Sequence, residues 1–490
     1  MRYQVWAPNA AERVEVAVDG AHHPLARDAV RAGWWQGEAP AGDYAFVLDG
    51  GRPMPDPRSP RQPHGPDGPS RAVDHAAFNW SHTGWRGRPL PGAVLYELHI
   101  GTFTAAGTFE AAAERLDHLV ELGVDFVELM PVCPFPGKHG WGYDGVSLWA
   151  VHEPYGGPEG LKRFVDAAHR KGLGVILDVV HNHLGPAGNY LPAFGPYFTD
   201  RHHTPWGSAV NLDAPGSDEV RAYLIGSALG WLRDYRIDGL RLDAVHALAD
   251  DRAVHFLEEL ATEVDRLAVA TNRPLFLVAE SDLNDPRTTT PREAGGQGLA
   301  AQWSDDFHHA LHCALTRESQ GYYGDFAAAP LAAVARTLTR GFFHDGGWSS
   351  SAAATTAARS RPPTATDCSA TSRPTTRWAT GRSATGSPPA SPPADSPAGP
   401  RWCSPRRSPR CCSWARSGAR PRPGSTSPTT PTRTSPKPSA RAGGGSSPST
   451  AGRRTRCRTR RSRPPCCARC STGPSPGAGR TGRCLTGAGP

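Results

Sequence analysis

Three short segments set acids beside a cation or an imidazole directly after an apolar run. They are Asp178-Val-Val-His181-Asn-His183, Asp238-Gly-Leu-Arg241-Leu-Asp243-Ala-Val-His246 and Val-Ala-Glu280-Ser-Asp282. Two carboxylates from neighbouring strands, one of them paired with an arginine, meet the needs of glycosidic cleavage: one stays ionised to attack and the other carries a proton. Arg241 stands two residues before Asp243, on the same face if the segment is a strand, and would hold that aspartate ionised as nucleophile. Glu280, after an apolar run, is the candidate general acid. A pair that retains configuration has its carboxyls about 5 Å apart. The same acids would also serve as buried ion pairs. Asp178, His181 and His183 are of types that bind metal, but imidazoles beside carboxylates equally donate hydrogen bonds to sugar hydroxyls. His202-His203 reads as a solvated loop pair.

The elements that position these groups follow a βα alternation. Residues 1 to 80 carry short apolar-polar alternations, as in Val14–Val18 and Tyr44–Leu48, punctuated by Asp19-Gly20 and Asp49-Gly50, which predicts a small Ig-like β-sandwich. The Pro-rich stretch Pro53–Pro69 reads as an extended connector. From Ala93 onward buried-strand runs alternate with amphipathic helices: AVLYELHI, then FEAAAERLDHLVEL, then FVELM, with further strands at Gly174–Val180, Gly239–Leu242, Leu275–Ala279 and Leu299–Gln302. A helix opened by Ser217 and Asp218-Glu219 lies between two of them. Six strands of an incomplete TIM-type (β/α)8 barrel are legible over residues 81–350, and reactive groups in such barrels gather at the strand ends.

The +8 net charge suggests nucleic acid or anionic membrane as a partner, but its distribution argues otherwise. Residues 351–490 contain 25 Lys and Arg against two acids, so this stretch carries +23 and residues 1–350 carry −15. It lacks Ile, Val, Phe, Met, Tyr, His, Asn, Gln and Glu, has one Leu, and holds nine of the 11 cysteines. Such a composition cannot build a core. It matches GC-rich codons read out of frame: Thr371–Trp378 permits codons that in another frame spell Leu-Gln-Thr-His-Asp-Gln-Val, and Cys412–Ala419 permits one resembling FMGEEWG. Residues 351–490 are therefore read as a low-complexity, out-of-frame tail without fold, and the last two barrel strands fall in it. An arginine-rich tail with no fold to position its charges is not read as a nucleic-acid binder. Two cysteines, Cys133 and Cys313, in the rest of the chain suit a reduced cytoplasmic protein. The start MRYQVWAPNA has no secretory pattern, and no apolar run reaches membrane-spanning length.

DVVHNH, GLRLDAVHA and LVAESD resemble three of the four signature regions of the alpha-amylase superfamily, in the usual order. The fourth region of that superfamily holds a His-Asp pair, and the alternative frame spells one across Pro374–Thr376. Within the superfamily, GWGYDGV at Gly140, TPWG at Thr204 and QWSDDFHHALH from Gln302 resemble the malto-oligosyltrehalose trehalohydrolase family. The WAPNA run is similar to the sandwich module of glycogen branching and debranching enzymes. The resemblance covers residues 1 to about 350. It implies Asp243 as nucleophile and Glu280 as proton donor. It places His183, Arg241, His246, Asp305, Asp306, His308 and His309 along the sugar sites, with Tyr143 stacked at the cleavage point. Asp178 would brace its neighbours, and Trp206 and Trp303 would serve either as glucose platforms or as core. The implied reaction is hydrolysis of the alpha-1,4 bond next to the terminal trehalose of maltooligosyl trehalose, with no metal or organic cofactor. A glycogen branching enzyme-like transferase and a non-catalytic glucan-binding remnant are the alternatives.

Overall fold

A computed structural model describes residues 1–349 and the backbone of Ala354–Thr355. The expected unfolded tail and the last two barrel strands lie outside the described residues.

Strands β1 (Arg2–Trp6), β2 (Val14–Val18), β3 (Ala21–Arg27), β4 (Trp34–Glu38), β5 (Asp43–Leu48) and β6 (Ser70–Arg71) form an antiparallel sheet in the order β1-β4-β3-β2-β5-β6. β3 changes partner midway: Ala21–Leu25 pair with β2, and Ala26–Arg27 pair with β4. The sheet thereby folds over one core, in which Tyr3 and Tyr44 meet edge to face at 4.9 Å. Asp19 and Gly20 take φ of 46° and 84°, the two positive values a two-residue hairpin between right-twisted strands requires. The connector is docked along its length. Met54 pairs with Phe46, Arg61 pairs with Val151, and the Arg61 guanidinium meets Glu153 at 2.5 Å.

The second sheet is wholly parallel: β7 (Leu95–Leu98), β8 (Phe126–Leu129), β9 (Gly174–Val179), β12 (Gly239–Leu242), β13 (Phe276–Glu280) and β14 (Ala301–Trp303) neighbour one another in that order. These are the six strands expected, with the last two residues later in starting than Leu299. Between β9 and β12 a hairpin is inserted, β10 (Phe198–Thr204) with β11 (Gly207–Val210). His202 therefore lies on a strand, where it meets Asp213 at 2.7 Å; it is not a free loop residue. The expected single helix after β7 is two, Phe109–Ala113 and Leu116–Leu122, with Thr108 capping the first through the Ala111 N–H. The helix after β11 does begin at Ser217, but its cap is Gly216 at positive φ. Beyond β14 the chain runs through helices Asp305–Thr316 and Pro330–Arg340 to a short antiparallel pairing of Trp348–Ser349 with Ala354–Thr355.

The floor of the barrel explains two glycines that open strands. A Cβ on Gly174 would stand 2.4 Å from the Phe126 ring, and one on Gly239 would stand 2.2 Å from the Phe276 ring. Their absence lets both rings turn inward and meet edge to face at 5.4 Å. Below this floor Asp238 is wholly buried and collects four donors: Trp85 Nε1 at 2.7 Å, His169 Nε2 at 2.8 Å, Val175 N at 2.9 Å and Arg273 Nη2 at 2.9 Å. Burial pushes the Asp238 carboxyl up, but the bond from His169 and the charge of Arg273 outweigh it and leave it below the usual range.

Candidate active site

Parallel register brings the acids together. Arg241 on β12 is aligned with Asp178 on β9, and Leu242 is aligned with Ala279 on β13, so Asp243 and Glu280 stand level one step further on. Alternation turns Asp178, Arg241, Asp243 and Glu280 to the barrel interior above the Phe126–Phe276 floor.

Arg241, 1% exposed, is the hub. Its Nη1 donates to Asp178 Oδ2 and to Asp243 Oδ1, both at 2.7 Å, and its Nη2 lies 3.6 Å from Glu280 Oε2. Burial pulls the guanidinium down, yet the surrounding carboxylates hold it well above its ordinary value. Burial pushes the Asp178 carboxyl up to about 7, against the pull of Arg241. Tyr143 donates its hydroxyl to Asp178 Oδ2 at 2.7 Å. Burial and Asp178 push that phenol far up, so it remains a donor. Asp178 thus has two donors on one oxygen and braces Arg241.

Asp243 is fixed from a second side. Asn182 Nδ2 donates to its carbonyl at 2.7 Å and to Oδ2 at 2.9 Å. His183 contacts Asn182 Oδ1 through Nδ1, places Nε2 2.9 Å from the Tyr143 carbonyl, and stacks on Trp206 at 4.7 Å with planes 3° apart. Glu280 accepts the Ala244 N–H at 2.7 Å. Ala244 has φ 43° and ψ 53°, a left-handed conformation that costs a non-glycine residue about 1 kcal/mol and clusters at functional sites. The strained turn directly after the candidate nucleophile is what aims its N–H at the candidate acid.

The other expected residues lie further out. His246, on the same turn, is 3.7 Å from Asp282 on the loop after β13. Asp306 is buried and holds that loop: its Oδ2 accepts from Asn284 Nδ2 at 2.7 Å and from the N–H groups of Phe343 and His344 at 2.8 and 2.9 Å. Asp305 opens the helix Asp305–Thr316, whose cap Ser304 accepts from Phe307 N. His309 packs against Tyr322 at 4.5 Å and against Phe326, while His308 is 5.3 Å from His309. Trp303 is 3% exposed and packs in the floor cluster with Phe126, Ile176 and Phe276, so it is core. Trp206, about half exposed, offers a ring face. Asn182 and Ala244 went unnoticed in the sequence. Asn182 sits inside DVVHNH, between the two imidazoles that drew attention.

Asp178, His181 and His183 do not converge as metal ligands. His181 is buried with neither ring nitrogen bonded, and burial drops it to about 4. Among the described residues the group that brings three such side chains within 4.8 Å is His202, Asp213 and Asp251, and Arg201 is already on it, 3.2 Å from Asp251. Cys133 and Cys313 are buried free thiols. No helix among the described residues is long and apolar enough to cross a membrane.

Residues 78–193 match the alpha amylase catalytic domain family. The chain is 57% identical over 356 residues to a malto-oligosyltrehalose trehalohydrolase of Arthrobacter ramosus, covering 71% of this chain and 61% of that one. It is 53% identical over 355 residues to the Mycobacterium tuberculosis protein of the same name, covering 71% and 60%. A 1,4-alpha-glucan branching enzyme of Vibrio cholerae is 30% identical over 356 residues, covering 63% and 48%. Among solved structures, a Salmonella typhimurium protein described as an alpha amylase is 42% identical with a TM-score of 0.68, covering 74% of this chain and 62% of that one. A pullulanase of Anoxybacillus sp., 21% identical with a TM-score of 0.57 and covering 69% and 57%, shares the fold. The chain spans about three fifths of the length of the curated relatives it matches. With its signature residues assembled on one face of a parallel half-barrel, a catalytic-domain match over residues 78–193 and this identity across 71% of its length, the chain is similar to the malto-oligosyltrehalose trehalohydrolases and carries part of an alpha amylase catalytic domain.

Proposed function

We propose that the protein hydrolyses the alpha-1,4 bond next to the terminal trehalose unit of a maltooligosyl trehalose and releases trehalose, in the cytoplasm, by a retaining double displacement. Asp243 attacks the anomeric carbon while Glu280 protonates the departing trehalose oxygen. Glu280 then takes a proton from water, which attacks the same carbon and frees Asp243. The observation that carries this reading is the coupling of the two acids: one guanidinium lies within 4 Å of both, and the N–H directly after Asp243 is held by Glu280. Tyr143 and the Trp206 face support ring binding, and His183, His246, Asp305, Asp306, His308 and His309 are proposed to line the sugar sites or carry the loops that do. Two buried free thiols support the compartment.

The higher identity to the trehalohydrolases than to the branching enzyme favours water over a second sugar as acceptor. Residues 351–490 are proposed to be out of frame, which removes the third carboxylate of the superfamily and leaves this literal chain a weak or inactive form of the enzyme. Resequencing the codons for residues 349–352 tests the frame. The decisive assay follows maltooligosyl trehalose by proton NMR with the frame-corrected chain. Free trehalose, with the new reducing end appearing first as the alpha anomer and lost in E280Q, supports the reading. Transfer products without trehalose sink it.

A further inference from the structure

The β10–β11 hairpin brings the Trp206 ring to the site on a broken ladder. Thr199 pairs with Ala209 and His203 with Ser208, so Asp200, Arg201 and His202 stand opposite no residue of β11. Such a bulge bends its strand and re-aims the side chains on it. The base of the hairpin is core, with Ala209 and Val210 at 0% and 4% exposure, but residues 203–208 include no buried residue. The outer half of the hairpin therefore takes its position from the bulge and from its own tip. That tip is stiff, since Thr204 Oγ1 accepts from Trp206 N and donates to Gly207 O, both at 3.2 Å.

The bulge is fastened at Asp213, whose side chain is 1% exposed. Asp213 Oδ2 accepts from His202 Nε2 at 2.7 Å and from Asp251 N at 3.0 Å, and Arg201 Nη1 lies 3.8 Å from it. Burial pushes this carboxyl up, but the bonds from His202 and the Asp251 N–H, with the charge of Arg201, outweigh it and hold it below the usual range, so it is an ionised anchor at neutral pH. Asp251 stands on the segment that leaves β12 beyond Asp243. Its neighbour Asp250 is clamped there by Arg221 Nη1 at 2.6 Å and Phe256 N at 2.7 Å. One carboxylate thus ties the bulge to a fixed part of the barrel. A shift of the bulge carries the Trp206 ring off His183, and His183 contacts Asn182, which holds Asp243.

We propose that Asp213 is a positioning residue for the sugar site, acting through His202 and the bulge to set the Trp206 ring over His183. This rests on the glycosidase reading above. The test is a double-variant cycle on the full chain: wild type, Asp213→Ala, Trp206→Ala and the pair together are titrated calorimetrically with maltotriose, and hydrogen exchange is followed across residues 198–210. Each single change is expected to weaken maltotriose about fivefold, and the pair to bind no more weakly than Trp206→Ala alone. Exchange across residues 203–208 is expected to rise about tenfold in Asp213→Ala while β12 and β13 stay within about twofold of wild type. A merely structural loss would multiply with that of Trp206→Ala and overturn the proposal, as would unchanged binding or unchanged exchange. Asp213→Asn keeps the volume and an oxygen for His202; should Asp213→Ala not fold, the same cycle with Asp213→Asn decides, with a loss of about threefold expected. If wild type binds maltotriose and the losses multiply, the glycosidase reading stands and this role falls. If wild type does not bind it, both fall.

Discussion

Replacing Arg241 by Met leaves a hydrocarbon stem in place of the charge that links Asp178, Asp243 and Glu280. Asp178 has no exposed side-chain surface and Arg241 has 1%, so the loss strands a buried carboxylate, which costs about 3–5 kcal/mol. The sign of the pH dependence follows from Asp178. Its carboxyl is at about 7 in the fold against about 3.9 when unfolded, so in the native protein ionising it removes stability as pH rises from about 4 to about 7. Without Arg241 burial is opposed only by the bond from Tyr143, and the carboxyl climbs further. Near pH 5.5 Asp178 is protonated with or without the arginine, and the variant loses hydrogen bonds and the pairing to Asp243 but strands no charge on Asp178. Near pH 9 the full Coulombic loss is present. Urea unfolding of both proteins at the two pH values, read by tryptophan fluorescence, therefore gives a destabilisation that grows with pH. A penalty equal at pH 5.5 and pH 9, or below about 1 kcal/mol at pH 9, refutes the role of Arg241 as counter-charge to a buried acid.

Asp238→Asn replaces a carboxylate that holds four donors and lowers stability by about 3–5 kcal/mol at neutral pH. Because the Asp238 carboxyl is depressed in the fold, that contribution is whole above about pH 4 and fades as pH falls through the folded value, so wild type and variant converge in acid on urea titration. Gly239→Ala drives a methyl to 2.2 Å from the Phe276 ring and costs about 1–3 kcal/mol; the double variant with Phe276→Leu recovers most of it in thermal melts. Tyr143→Phe removes the hydroxyl bonded to Asp178, with a loss of about 1.5–3 kcal/mol in the same melts at pH 9.

The strands and the two principal acids were legible because each strand alternates strictly, so an Arg-x-Asp spacing fixes a shared face before any register is known. The level placement of Asp243 and Glu280 came from parallel pairing, which spacing along the chain does not encode. Ala244 was invisible because a left-handed backbone at alanine is imposed by its surroundings and leaves no trace in residue type. Asn182 was overshadowed by ionisable neighbours, although its amide can bond a main-chain and a side-chain oxygen at once. The break after Ala113 lay within a sequence of good helix formers, where periodicity does not reveal a turn that packing imposes. Trp303 read equally as platform or core, and the inward side of its strand decided it.

The bonds from Trp85 to Asp238 and from Trp34 to Glu219 span 153 and 185 residues. On a ribosome adding about 5–20 residues per second, Trp85 waits about 8–30 s for the carboxylate that satisfies its indole. During that interval the amino-terminal sheet and the first barrel strands are held only by their own contacts. A nascent chain arrested before residue 219 should therefore expose these tryptophans to protease and chaperone alike, and one arrested after residue 280 should not.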